Sequence, residues 1–180
     1  MFLLIGVLFD VLFSKLGHQA YLAQACAAVA HIHAMGIVHF DIKLDNLLVH
    51  DGVLNLCDFG LSGFEGTFRS GRPDGTRSYM APELAVPPPP WHSSLPSRYA
   101  VSKSADIWSM GMLIFTMVLD ERCWEEATTD DADYALYAQR VQNGEDVACE
   151  EPWRRLAYGN FDVILGPFLT CLSIAPTCDV

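Results

Sequence analysis

The stretch Val38-His39-Phe40-Asp41-Ile42-Lys43-Leu44-Asp45-Asn46 decides the reading of this chain, and Cys57-Asp58-Phe59-Gly60 follows it closely. Two acids and an amide, Asp41, Asn46 and Asp58, stand among apolar residues with the cation Lys43 between them. Alone, Asp41 is an ordinary turn former and Lys43 an ordinary surface lysine. Together they supply a carboxylate to orient a hydroxyl, an ammonium to shield an anion, and a carboxylate-amide pair of oxygens suited to Mg2+, the mixture that phosphoryl transfer requires.

Outward from that stretch, Leu47-Leu48-Val49 and Val53 to Cys57 are short apolar runs around His50-Asp51-Gly52. Apolar runs flanking an Asp-Gly dipeptide predict a β-hairpin, which brings Asn46 and Asp58 to neighbouring strand ends. Upstream, Ile37-Val38 reads as a short strand. Before it, Leu22, Ala25, Cys26, Val29, Ile32 and His33 recur at helical spacing, so Gln19 to Met35 is expected to form a helix packed on one face and stopped by Gly36. His33 is expected to be a satisfied core histidine and His31 to face solvent. Downstream, Asp106 to Leu119 is apolar on all sides, hence a helix buried all round and too short to span a membrane. A further helix is expected around Tyr134 to Gln142, and two more helical stretches within Pro152 to Ala175.

These phrases closely resemble the catalytic and metal-binding loops of eukaryotic protein kinases. His39-Phe40-Asp41 with Asn46 five residues beyond the acid follows the pattern H-R-D-L-x-x-x-N, and Asp58-Phe59-Gly60 and Ala81-Pro82-Glu83 come next in the required order. Lys43, two residues after Asp41, and Gly75-Thr76 before Ser78-Tyr79-Met80-Ala81-Pro82-Glu83 resemble the serine/threonine type. The resemblance implies an α+β protein-kinase-like large (C-terminal) lobe, mainly helical with a small β-hairpin. It implies an ATP-dependent serine/threonine protein kinase, with ATP and Mg2+ as cofactors and a protein as substrate.

The resemblance also assigns roles. Asp41 would orient the substrate hydroxyl and take its proton, and Lys43 would contact the transferring phosphate. Asn46 and Asp58 would hold the metal, while Leu48 and Cys57 would border the nucleotide. Leu48 also reads as ordinary hairpin core, and Cys57 as an inert buried thiol, whereas at a formed nucleotide site it would be open to an electrophilic nucleotide analogue. Thr76 would bond Asp41 and Lys43 and shape the pocket after the phosphoacceptor. His39 would stack beneath Phe59. Asp106 would anchor the backbone at His39 and Phe40, with a helix N-cap as its plain alternative. Leu113 and Met117 would support the nucleotide side of the core. Asp45 reads as solvated.

Phe40 departs from the pattern. Most relatives carry an arginine there that binds an activation-loop phosphate, which Phe40 cannot do. The segment from Asp58 to Glu83, with Gly63, Gly66, Gly71 and Gly75, reads as a mobile loop in which Arg69, Arg72 and Arg77 are solvated. Glu83 would lack its arginine partner, since Asp179 stands at the matching position, and a buried unpaired carboxylate is costly.

The 180 residues, 51% hydrophobic, suit one folded domain: residues 1–180 read as a partial kinase domain with a Pro-rich surface insertion over 84–99. Pro87 to Pro90 form an extended surface segment, read as a spacer, a retained intron in a gene model, or an SH3- or WW-type ligand. Met1 to Phe13 resembles the hinge and first large-lobe helix, with Val7 where relatives carry an acid. It has neither the leader nor the length of a membrane anchor. A Gly-rich loop, a strand lysine and its partner glutamate are not found in the sequence, which reads as starting near the hinge. A noncatalytic kinase-like scaffold or pseudokinase, and an incomplete gene model of a longer kinase, are therefore alternative readings.

The formal charge of -11 argues against nonspecific nucleic-acid binding. Residues 120–151 concentrate it, with eleven acids against Arg122 and Arg140, and read as a solvated acidic helix and loop. There Trp124 resembles a family Pro-Trp element without its proline. Six cysteines without C-x-x-C spacing point to a reducing, intracellular and cytoplasmic setting, and the shortness of the apolar runs to no membrane partner.

Overall fold

The computed structural model describes residues 15–85, 98–145 and 147. Met1 to Phe13, the prolines Pro87 to Pro90, the helical stretches expected after Pro152 and Asp179 lie outside the described residues. The elements are α1 (Lys15–Ala34), β1 (Ile37–Val38), β2 (Leu47–His50), β3 (Val53–Leu56), β4 (Gly63–Phe64), β5 (Phe68–Ser70), α2 (Pro82–Ala85), β6 (Arg98–Ala100), α3 (Lys103–Leu119) and α4 (Ala132–Gln142). The architecture is mainly helical with small sheets. Where the sequence gives one hairpin, the structure has three two-stranded sheets, β1 with β4, β2 with β3 and β5 with β6, all antiparallel.

Helix α3 lies between two apolar cores. Phe115, Met112 and Trp108 face one, with Val38, Phe40 and Leu84. Leu113, Met110 and Met117 face the other, with Leu22, Val29 and Leu47. Burial on both sides explains why no polar stripe interrupts Trp108 to Leu119. The helix starts three residues before Asp106, because Ser102 is its N-cap: the Ser102 hydroxyl accepts the Ser104 N–H at 3.3 Å. Asp106 is therefore not a cap.

Helix α1 presents Tyr21, Leu22, Ala25, Val29 and Ile32 inward. Cys26, expected on that face, is exposed, and Tyr21, outside the expected set, is buried. His31 is exposed. Gln24 ties the helix to the hairpin: its Oε1 accepts the Leu54 N–H at 2.8 Å, and its Nε2 donates to the Gly52 carbonyl at 3.3 Å.

The β2–β3 turn uses Asp51 and Gly52, both with positive φ, at 50° and 76°. That conformation matches the twist of the strands and selects Asp-Gly. The register pairs Leu47 with Leu56 and Leu48 with Asn55. Leu47 and Leu54 are buried, so period-two alternation turns Leu48 and Val53 outward, where they are 56% and 55% exposed. Leu48 is thus not hairpin core among the described residues.

Beyond α3, Trp124 is buried against Trp108, Tyr134 and Tyr137, with ring centroids 5.9, 5.2 and 5.3 Å away. Helix α4 begins two residues before Tyr134 and is capped by Asp131, whose carboxylate accepts the Asp133 and Tyr134 N–H groups. Over residues 120–145 the acidic stretch is accordingly a loop and a capped helix anchored by aromatic packing.

Candidate active site

The loop between β1 and β2 is held from below by Asp106, which is fully buried. Its Oδ2 accepts the His39 N–H and its Oδ1 the Phe40 N–H, each at 2.8 Å. His33 Nε2 lies 2.8 Å from Oδ2, and because a carboxylate only accepts, this nitrogen carries the proton. Phe40 has φ 68°, a left-handed conformation unfavourable for a bulky residue, and the Asp106 bond to its N–H helps hold it there.

His39, also fully buried, joins this loop to the end of the hairpin. Its Nδ1 accepts the Asp41 N–H at 3.3 Å, leaving Nε2 to donate to the Cys57 carbonyl at 3.0 Å. The His39 ring meets Phe59 edge-on with centroids 4.8 Å apart. The contact is tilted at 63°, so it is an edge contact and not a parallel stack.

Three expected site residues come together around Asp41. Its Oδ1 accepts the Thr76 N–H at 3.0 Å and the Thr76 hydroxyl at 2.9 Å. Its Oδ2 lies 2.7 Å from the Lys43 ammonium and accepts from Asn46 Nδ2 at 3.1 Å. Lys43 also donates to Thr76 Oγ1 at 2.9 Å, and Asn46 Nδ2 to the Asp41 carbonyl at 2.7 Å. Burial opposes ionisation of Asp41, but Lys43 and the two Thr76 donors outweigh it and hold the carboxyl below its ordinary range. Asp45 is exposed.

Asp58 reaches the same region through the hairpin. The Cys57 N–H donates to the Asn46 carbonyl at 2.9 Å, which sets Asp58 one residue beyond that pairing. Asp58 is exposed, has φ 62°, and accepts the Gly60 N–H at 3.3 Å. Cys57 Sγ donates to the Asn46 carbonyl at 3.2 Å. Burial and then the neighbouring Asp58 charge push its thiol up, so it stays protonated and weakly nucleophilic at neutral pH.

The donor chemistry fits a hard divalent cation. Asn46 Nδ2 is committed to Asp41, leaving Oδ1 as the amide's ligand atom, and the Asp58 carboxylate is open to solvent. Among the described residues, no cluster of three His, Cys, Asp or Glu forms a self-contained metal cage. A site of one carboxylate and one amide leaves most of the coordination of such a cation to water or to oxygens of a ligand.

The segment after Asp58 departs from the expected mobile loop. β4 pairs with β1, and β5 pairs with β6 across the Pro-rich stretch. Arg69 is not solvated: its Nη1 donates to the Leu61 carbonyl at 2.6 Å and its Nη2 to that of Ser62. Glu83 is half-buried with the Ser104 hydroxyl beside it, so it is not left without a partner; burial still pushes its carboxyl up. A cleft of about 540 Å³ opens alongside, its walls including Gly75, Arg77, Met80, Glu83, Tyr99 and Glu126. Gln24 and Tyr99 gave no signal in the sequence, because each acts through a partner distant along the chain.

The sequence pattern of the protein kinase domain matches residues 5–157. The chain is 30% identical over 171 residues to the serine/threonine-protein kinase chk1 of Schizosaccharomyces pombe, covering 89% of this chain and 31% of that protein. It is 32% identical over 162 residues to the serine/threonine-protein kinase SBK1 of Danio rerio, covering 83% and 39%. With the serine/threonine-protein kinase AtPK1/AtPK6 of Arabidopsis thaliana the identity is 37% over 118 residues, covering 59% and 23%. The chain belongs to the eukaryotic protein kinase family, among its serine/threonine members. It spans between 23% and 39% of the length of these relatives. The comparisons give no support to an SH3- or WW-type partner at Pro87 to Pro90. No helix among the described residues is long and apolar enough to cross a membrane.

Proposed function

We propose that this chain is the catalytic large lobe of an intracellular serine/threonine protein kinase, transferring the ATP γ-phosphate to a hydroxyl of a protein substrate. Residues 1–180 are read as one partial kinase domain; of the insertion expected over 84–99, Leu84 and Ala85 belong to α2 and Arg98 and Tyr99 to β6. The observation that carries the reading is the bonding of the Asp41 carboxylate on both oxygens, by Thr76 on one side and by Lys43 and Asn46 on the other.

In this reading Asp41 orients the substrate hydroxyl and accepts its proton as the oxygen attacks phosphorus. Its lowered pKa keeps it ionised at neutral pH, so its work is mainly orientation. Lys43 bridges Asp41 and Thr76 and presents positive charge where the phosphoryl group would pass. Mg2+, held by Asn46 Oδ1 and the Asp58 carboxylate, would neutralise phosphate charge. Leu48 and Cys57 border the nucleotide. The substrate segment enters along the cleft whose wall includes Gly75, where a Cβ would come within 3.9 Å of Asp41 Oδ1.

The test is phosphate transfer from Mg-ATP to a basic test protein, with Asp41→Asn as control. Transfer that drops at least about 100-fold in the variant supports the reading. Equal signal from both proteins rejects it and favours a noncatalytic scaffold.

A further inference from the structure

Phe40 removes the usual means of fixing the segment after Asp58, yet that segment is ordered here by another device. The Arg69 guanidinium lies over the Phe40 ring, 5.5 Å from its centroid. The same guanidinium donates to the carbonyls of Leu61 and Ser62, directly after Asp58-Phe59-Gly60. The backbone of Arg69 pairs with Tyr99, whose ring meets the Phe40 ring edge-on at 6.0 Å. Space for this arrangement depends on Gly63: a Cβ there would stand 2.9 Å from Arg69 Nη2.

One side chain therefore touches the residue before Asp41 and the residues just beyond Asp58, while its own strand holds the middle of the segment against β6. Planar donors on one edge and a flat face for the ring are properties of arginine that lysine lacks. We propose that Arg69 is a positioning residue that fixes the Asp58 turn and the Asp41 loop relative to each other from inside the segment, with no phosphate required. The proposal rests on the kinase reading above for its effect on transfer, but the tie itself is measurable without it.

The test combines amide hydrogen exchange with steady-state kinetics on the full chain. Arg69→Met is expected to speed exchange over residues 59–70 by roughly 10–100-fold, the loss of two charge-assisted bonds, while the α3 amides stay protected. It should lower kcat by about 10-fold or more and change the KM for ATP by less than about threefold, as misalignment does. Arg69→Lys should fall between, and Gly63→Ala, which crowds the guanidinium without altering it, should reproduce the direction. Ser70→Ala should leave exchange and kcat at the wild-type level, and Thr67→Ala, which loses a local bond from its hydroxyl to the Phe64 carbonyl at 2.7 Å, should leave kcat there. Unchanged exchange over 59–70 in Arg69→Met overturns the proposal, as does loss of activity in Thr67→Ala or Ser70→Ala. If the wild type transfers no phosphate, or Asp41→Asn matches it, the kinase reading fails, and the exchange arms still decide whether Arg69 makes the tie.

Discussion

Replacing Asp106 with alanine isolates the support beneath the catalytic loop. The substitution strips acceptors from the His39 and Phe40 N–H groups and from His33 Nε2, all at 2.8 Å in the intact protein. His39 is 0% and Phe40 9% exposed, so water cannot readily replace the lost acceptor. Each orphaned N–H costs about 1–3 kcal/mol, and relief of the buried charge offsets part of the total. A net loss of about 3–5 kcal/mol follows, a large fraction of the ~5–15 kcal/mol that holds a domain folded. Asp106→Asn keeps one acceptor oxygen and should fall between. Equilibrium unfolding in urea should show the alanine midpoint lowered by roughly 1–3 M at unchanged m, with faster exchange at the His39 and Phe40 amides. An alanine variant within about 1 kcal/mol of wild type, with both amides still protected, would refute the reasoning.

Other substitutions probe the site directly. Thr76→Val removes the hydroxyl that bonds both Asp41 and Lys43 and should slow transfer by about 5–30-fold, whereas Thr76→Ser keeps most of the rate. Gly75→Ala should destabilise by about 1 kcal/mol or more in thermal unfolding, since Gly75 has φ 145° and a Cβ would sit 3.1 Å from the Phe40 carbonyl. The Asp41 carboxyl is held below its ordinary 3.8, so the unfolded chain binds more protons in the window between the two values. Its stabilising contribution is complete above 3.8 and is lost as pH falls through the folded value; Lys43→Met, followed by acid unfolding, should flatten that decline.

Much of this was legible in local sequence. Asp51-Gly52 specifies the hairpin because two successive positive φ angles are met cheaply by that dipeptide. The continuous apolar run of α3 announces burial on both faces, and the spacing in α1 gives its inward stripe. The misreadings have physical causes. The hairpin-core alternative for Leu48 rests on hydrophobicity alone, and pairing with Asn55 puts it on the outer face. The β5–β6 pair escapes notice because its strands are three residues each and stand on opposite sides of the prolines. The Arg69 contacts depend on that pairing, so nothing near Arg69 distinguishes it from Arg72 or Arg77. Asp106 anchors the His39 and Phe40 backbone as the resemblance implies, and the bond from His33 is the part that only the fold reveals.

The most direct measurement of the central claim is binding of ATP with Mn2+ in place of Mg2+, followed by electron paramagnetic resonance of the metal. If Asn46 and Asp58 supply its protein ligands beside Asp41, Asn46→Ala and Asp58→Ala should each weaken metal-nucleotide binding by about 10-fold or more, as loss of a charged or polar ligand contact does. Asp41→Asn should leave that binding nearly intact while abolishing transfer. Binding at the wild-type level in Asp58→Ala, or undiminished transfer in Asp41→Asn, would contradict the account.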